Sequence, residues 1–319
     1  MTKRRNQAGE HSGLFPKPTG IDRELLWSLL GGRPGPVSTL NCRANRRWTH
    51  SGIDVAEIDI ISGHRRIPAY RLSPRNQSAA RPGIVYAHAH GHRYDIGKAE
   101  AVSGRPSLLE PPPGIALAQA GFVVVCPDMP GFGARQLSQS EDARAKAACW
   151  KGITLLGEML IDLLAAFETL SMDPLVRNAG IASFGMSMGG TLAYWLAALE
   201  PRIAATAHFC VLASIESLIA KGAHHLHAPY MTVPGLLRHG DMGDVAALVA
   251  PRSQLVCAGA TDPLTPPEAL VPAIESARRG YAAAGATDKL EVFIAPNSGH
   301  AETNEMRARL VGFLRAATS

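Results

Sequence analysis

Three residues in the second half of the chain have the types that acyl transfer needs: Ser187, Asp262 and His300. A serine hydroxyl is a weak nucleophile at neutral pH and requires a base to take its proton, most often a histidine oriented by a carboxylate. Ser187 lies in "SFGMSMGGTLAYW", residues 183 to 195, with Gly185, Gly189 and Gly190 around it. The apolar run before it reads as a strand and the run after it as a helix, so the chain reverses within a few residues at the serine. So tight a turn strains the backbone of its apex residue and pushes that side chain out of the sheet. Small neighbours are then required on both sides, which is the logic of the G-x-S-x-G elbow. The elbow also sets Ser187 at a helix N-terminus, where unpaired N–H groups and the helix dipole favour negative charge. The Met188 N–H is expected to face a developing oxyanion.

Asp262 follows the apolar run "SQLVCAGA" in the segment "TDPLTPP", and His300 follows "KLEVFIAP" in "NSGHAE". Each is expected in a loop beyond the C-terminal end of a strand, where open parallel sheets gather reacting groups. Taken singly, Asp262 also suits a turn or a helix N-cap, and His300 suits a surface loop. Together the three types fall at three strand ends in the order Ser, Asp, His, and they are read as a triad.

The elements that must carry these residues follow from the pattern of the chain. From residue 82 onward, short β-rich runs such as "GIVYAHA" and "FVVVCPD" alternate with helical ones such as "LLGEMLIDLLAAFETL", where Leu156, Leu160, Leu163 and Phe167 recur at helical spacing. This alternation predicts a mostly parallel central sheet flanked by helices. Upstream, "VAEIDIIS" and "RRIPAYRLSP" alternate about Gly63 and His64 and predict a hairpin. Residues 1–52, with one helical run "DRELLWSLL", read as an N-terminal extension, and residues 53–319 as one catalytic domain. An insertion at about 212–250 is too long for an ordinary connection and is expected to form a small lid or pocket wall.

On these residues the chain resembles the α/β-hydrolases, and within them the dienelactone hydrolase and acetyl xylan esterase-like branch. The resemblance is carried by "HAHGHRYDIGK", "PDMPGFGAR", "GMSMGG", "APRSQLVCAGATDPLTP" and "SGH". The elbow residue here is Ser187, where dienelactone hydrolases proper use cysteine. The resemblance implies an α/β-hydrolase fold, with an oxyanion loop at His90 and Gly91 whose second donor is the N–H of His92. It also implies a serine esterase that works through an acyl-enzyme and needs no cofactor. A small peptidase or amidase of the prolyl oligopeptidase-like type is the nearest alternative, although the long N-terminal propeller of that group is missing.

"HAHGHRYD" raises a rival from another class, since His88, His90 and His92 alternate along a strand and could converge on a metal ion. A non-catalytic binding module on the same fold is the other alternative, and the intact Ser, Asp and His set argues against it. His224, His225 and His227 in the insertion have no carboxylate or cysteine at close ligand spacing and read as a polar pocket wall or exposed loop. His90, Gly91 and Tyr230 are expected to touch substrate, while Met186, Met188 and Leu212 suggest room for a modest apolar group. No metal is expected.

Composition sets the outer limits. The chain has 319 residues, 46% hydrophobic, with a net charge of +5. Its basic residues are scattered apart from "TKRR" and "RANRR" near the N-terminus, so no nucleic-acid partner is expected. No apolar run approaches the about 18 residues of a membrane span, and the start lacks the apolar region of a secretion signal. A cytoplasmic protein acting on a small-molecule ester is expected, without a membrane partner, and homo-oligomer formation stays open. The five cysteines are expected to be free, buried thiols.

Overall fold

The structure is a computed structural model that describes residues 20–35, 40–76 and 79–318. The β-rich runs become strands β1 (Leu40–His50), β2 (Ile53–Ser62), β3 (Arg65–Pro74), β4 (Arg81–Ala87), β5 (Val123–Pro127), β6 (Val176–Met186), β7 (Ala205–Phe209), β8 (Ser253–Gly259) and β9 (Leu290–Ala295). They form one sheet in the order β1-β2-β3-β5-β4-β6-β7-β8-β9. The pairs from β1 through β3 to β5 are antiparallel, and all pairs from β5 to β9 are parallel.

Parallel strands need covering on both faces, because their crossovers place helices there. The helices are α1 (Arg23–Leu30), α2 (Glu100–Ser103), α3 (Pro113–Gln119), α4 (Glu141–Trp150), α5 (Leu155–Ser171), α6 (Met188–Leu199), α7 (Ile215–Ala220), α8 (Met242–Ala247), α9 (Pro267–Ala283) and α10 (Asn304–Ala317). Apolar residues of α1, α5, α6, α8 and α9 build the core on one face, and those of α3 and α10 the core on the other. Leu156, Leu160, Leu163 and Phe167 are all buried, as their spacing predicts. The mostly parallel sheet flanked by helices is thus the architecture found.

The β2–β3 hairpin forms about Gly63 and His64, with Ile60 opposite Ile67. β1 was not anticipated. Its residues "LNCRANRRWTH" are mostly exposed, so they carry no hydrophobic alternation, and the strand exists through its ladder to β2. Ser51 and Gly52 supply the two positive φ values, 49° and 79°, that a tight hairpin turn takes. The extension expected over residues 1–52 is therefore not a separate unit along its whole length, since residues 40–50 are the sheet's edge strand and carry "RANRR". Ahead of it, α1 is capped by Asp22, whose Oδ1 accepts the Leu25 N–H at 2.8 Å, and buries Leu26, Trp27 and Leu30. The "TKRR" cluster lies outside the described residues.

The insertion at 212–250 holds α7, α8 and three short 3-10 turns, and much of it is core, with Leu218, Tyr230, Leu236 and Val245 buried. A second unanticipated element is α4, capped by Ser140 and acidic in its first turn at Glu141 and Asp142. All five cysteines are free. Cys126, Cys210 and Cys257 are buried, but Cys42 and Cys149 are exposed, because they sit on the solvated edge strand and on α4. No helix among the described residues is long and apolar enough to cross a membrane.

Two fully buried histidines tie stability to pH. His88 Nε2 accepts the Met129 N–H at 3.1 Å while its Nδ1 meets the Ala89 carbonyl, and burial holds its pKa down to about 4. His208 sits beside Gln254, and burial lowers it to about 3. An unfolded histidine titrates near 6.5, so between that pH and 4 the unfolded chain binds protons that the native chain refuses. Stability should be fully present above pH 6.5 and fall as pH drops through this window, with His88 alone costing on the order of 3 kcal/mol by pH 4. Urea unfolding measured from pH 7 to 4 tests this, and a flat profile would contradict it.

Candidate active site

Ser187 joins β6 to α6 with φ 57° and ψ −126°, a conformation that is costly for any residue with a Cβ. Its N–H donates to the Phe209 carbonyl at 2.9 Å and its own carbonyl accepts from Thr191 N–H at 3.0 Å, which fixes the elbow between two strands and a helix. The hydroxyl does not cap the helix it begins. The neighbouring glycines are required by space. A Cβ on Gly185 would run into the Gly189 backbone, one on Gly189 into the Ala87 carbonyl, and one on Gly190 would stand 2.9 Å from Val211 Cγ1. Met188, the first residue of α6, is buried, and its N–H lies among those that a helix start leaves without an intrahelical partner.

Asp262 and His300 sit in the loops after β8 and β9. These loops are laced together by Ala260 N–H to the Ala295 carbonyl at 2.9 Å and by Thr261 N–H to the Ser298 carbonyl at 3.0 Å. Asp262 Oδ1 accepts from Leu264 N–H at 2.9 Å, and Oδ2 accepts from His300 Nδ1 at 2.7 Å. The carboxylate is fully buried and the imidazole about a quarter exposed. A carboxylate only accepts, so Nδ1 carries the proton and Nε2 presents its lone pair. Between the serine and this pair, at the end of β7, Cys210 takes a positive φ of 54° and donates its N–H to the Cys257 carbonyl at 2.8 Å. Burial, with the Asp262 charge, pushes its thiol up to about 12.

The loop after β4 is held by a buried ion pair. Both carboxylate oxygens of Glu100 accept the Ala89 N–H at 3.1 Å, and Arg105, paired with Glu100, donates to the carbonyls of Ala89 and His90 at 2.9 and 3.2 Å. Burial raises the Glu100 pKa against the pull of Arg105. Gly91, at φ 52°, is the one residue type that fits, because a Cβ would meet the Arg105 guanidinium. His90 Nε2 donates to Glu141 Oε2 at 2.7 Å, Tyr94 donates its hydroxyl to the same oxygen at 2.9 Å, and His90 Nδ1 accepts the His92 N–H at 3.0 Å. The His92 N–H, expected as the free second oxyanion donor, is therefore engaged at rest.

These bonds also remove the ground for a metal at His88, His90 and His92. Both ring nitrogens of His88 and both of His90 are spent on protein partners. Tyr230, expected to touch substrate, is buried with its ring stacked on His90 and its hydroxyl 3.2 Å from Thr191 Oγ1, which makes it a packing element. His90 is likewise buried, whereas Gly91 and His92 are exposed.

A cleft of about 790 Å³ opens beside this loop. Its walls come from His92 and Tyr94, from residues 136–142 and Arg144 at the start of α4, and from residues 225–229 of the insertion. Five residues of the insertion thus line this cleft. His225 bonds the Gly222 carbonyl and, like His224, is exposed. His227 differs. Burial lowers its pKa, a hydrogen bond to the Leu264 carbonyl partly offsets this, and its Nε2 is buried without a partner. The segment 136–144 escaped the sequence reading, although Ser140 followed by two acidic residues is a helix-start signal.

The close approach at Gly189 sets a steric test. Gly189→Ala should destabilise the protein by about 3 kcal/mol, since a backbone carbonyl cannot yield as a side chain can. Gly312→Ala, in open space on α10, should instead stabilise by up to about 1 kcal/mol. Urea denaturation of the two variants reads the difference directly.

Comparison with known proteins fits this geometry. Residues 114–232 match the dienelactone hydrolase family. Over 295 residues the chain is 32% identical to YtaP of Bacillus subtilis (strain 168), whose name describes a hydrolase, covering 92% of this chain and 97% of that one. Among solved structures, a glucuronoyl esterase from Solibacter usitatus superposes with a TM-score of 0.67 at 14% identity, over 91% of this chain and 89% of that one. Acetyl xylan esterase 1 from Thermoanaerobacterium sp. JW/SL YS485 gives 0.65 at 16% identity, over 96% of each. The chain has the α/β-hydrolase fold and belongs to the dienelactone hydrolase family.

Proposed function

We propose that this protein hydrolyses carboxylic esters, with Ser187 as nucleophile, His300 as general base and acid, and Asp262 as the group that orients His300. The observation that carries the reading is the 2.7 Å bond from His300 Nδ1 to a fully buried Asp262 carboxylate, on the same strand-end edge as a strained serine. Family membership and esterase neighbours support it.

In the first step His300 Nε2 takes the Ser187 proton as Oγ attacks the ester carbonyl, and Asp262 stabilises the imidazolium. The oxyanion is held by the Met188 N–H and, as charge builds, by the His92 N–H. A full negative charge is a stronger acceptor than the neutral His90 ring, so this N–H exchanges partners in the transition state. His300 returns the proton to the leaving alkoxide. Water then repeats the cycle on the acyl-enzyme to release the acid.

The cleft beside the site suits a polar substrate, being lined by Gln136, Ser138, Gln139, Arg144, His225 and His227 among others. Esters borne on hydroxylated molecules such as sugars fit these walls, and the names of the acetyl xylan and glucuronoyl esterases point the same way. The proposal requires no second protein and no nucleic acid, and it places the reaction in the cytoplasm.

Hydrolysis of p-nitrophenyl esters from acetate to octanoate, by wild type and by Ser187→Ala, is the direct test. The variant should lose ~10³-fold or more in kcat with little change in folding. A fluorophosphonate should label the wild type at Ser187 and leave the variant unlabelled. Retained turnover in the variant would remove the serine from the mechanism.

A further inference from the structure

Cys210, Asp262 and His300 bring one sulfur, one carboxylate oxygen and one imidazole nitrogen within 4.8 Å of one another, and no other such group of ligating atoms occurs among the described residues. The three follow the adjacent strands β7, β8 and β9, and the loops that carry Asp262 and His300 are laced together by the Ala260–Ala295 and Thr261–Ser298 backbone bonds. The Cys210 sulfur makes a long hydrogen bond to the Ala301 carbonyl at 3.9 Å. The esterase mechanism gives this thiol no role.

The donor set is selective. Thiolate and imidazole favour zinc and other borderline-soft cations, whereas magnesium and calcium prefer oxygen alone. Tetrahedral zinc with sulfur, nitrogen and oxygen ligands sets the ligating atoms roughly 3.5 Å apart, so side-chain movements of about 1 Å close the trio on an ion. His300, a quarter exposed, gives access from the solvent side.

We propose that Cys210, Asp262 and His300 form a binding site for a soft divalent cation such as Zn2+, and that its occupancy switches the hydrolase off. On binding, the thiol proton leaves to solvent, the imidazole proton moves from Nδ1 to Nε2, and the metal takes the Cys210 sulfur, an Asp262 carboxylate oxygen and the freed Nδ1 lone pair. The ring can then no longer accept the Ser187 proton in the orientation Asp262 gives it. The inhibitory half of this proposal rests on His300 being the base, and the binding half does not.

The experiment uses the full chain with the exposed Cys42 and Cys149 replaced by serine, and compares it with further variants Cys210→Ala, Cys210→Ser and Ser187→Ala. Co2+ is the spectroscopic probe and Zn2+ the inhibitor. A thiolate-to-cobalt charge-transfer band should appear in the parent and in Ser187→Ala, and be absent from both Cys210 variants. Zn2+ should inhibit p-nitrophenyl acetate hydrolysis by the parent, reversibly on adding EDTA. The inhibition constant should rise about tenfold or more in each Cys210 variant, while its metal-free activity stays near that of the parent. Absence of the band from the parent, or its persistence in both Cys210 variants, would overturn the site. A band with unchanged zinc inhibition in those variants would overturn the switch. If no ester is turned over, the cobalt spectra alone decide the site, so its failure is distinguishable from failure of the esterase reading.

Discussion

The start of α6 presses so closely on the ends of β4 and β6 that no side chain fits between them. Gly189 lies against the Ala87 carbonyl and Gly185 against Gly189, and this contact forces the chain to reverse in the single residue that separates strand from helix. Ser187 absorbs the reversal as a positive φ. The strain is local, and the surrounding ladder over-determines it, with β6 bonded on both sides to β4 and β7. The same contact sets the helix N-terminus beside the β4 loop, so one packing constraint brings the Ser187 elbow, the helix dipole and that loop together.

Loops that meet at such an edge cannot all be satisfied by backbone partners, and here buried carboxylates do that work. Glu100 accepts the Ala89 N–H, while Asp128, fully buried after β5, accepts the N–H groups of Lys98 and Ala134 and pairs with the Lys98 ammonium at 2.9 Å. Asp162 on α5 gathers Arg65 and Arg135. Burying such charges adds little net stability, yet removing one partner would leave the other uncompensated at a cost of about 3–5 kcal/mol. What these pairs contribute is fixed loop geometry, because each charge has only one arrangement in which all its bonds are made.

The legible parts of the chain are those where burial dictates residue type. Strands such as "FVVVCPD" are covered on both faces and so read as unbroken apolar runs, and α5 shows its buried stripe at helical spacing. β1 was not legible because an edge strand exposed to water carries no such constraint. Ser187, Asp262 and His300 stood out because chemistry-bearing residues at strand ends interrupt an apolar text. Glu141 could not be found that way. Its partner His90 is 51 residues distant, and the bond between them exists only because α4 folds back over the β4 loop. Tyr230 and Cys210 show the opposite limit, since neither composition nor spacing tells a packed tyrosine from a pocket lining or an inert thiol from a ligand.

The Glu141–His90 bond ties the loop after β4, proposed to hold the oxyanion, to the cleft wall. Glu141 belongs to the cleft wall, and through His90 it holds the acceptor that occupies the His92 N–H at rest. Tyr94, also on the wall, shares the same carboxylate oxygen. The cleft and the loop after β4 are therefore one hydrogen-bonded network, and about the buried His90 each bond strengthens the next. On the proposed mechanism a neutral ester oxygen competes poorly with the ring nitrogen for that N–H, whereas an oxyanion competes well. The donor is spent in the ground state and released where charge develops, which is the condition for an interaction to raise kcat rather than merely tighten binding.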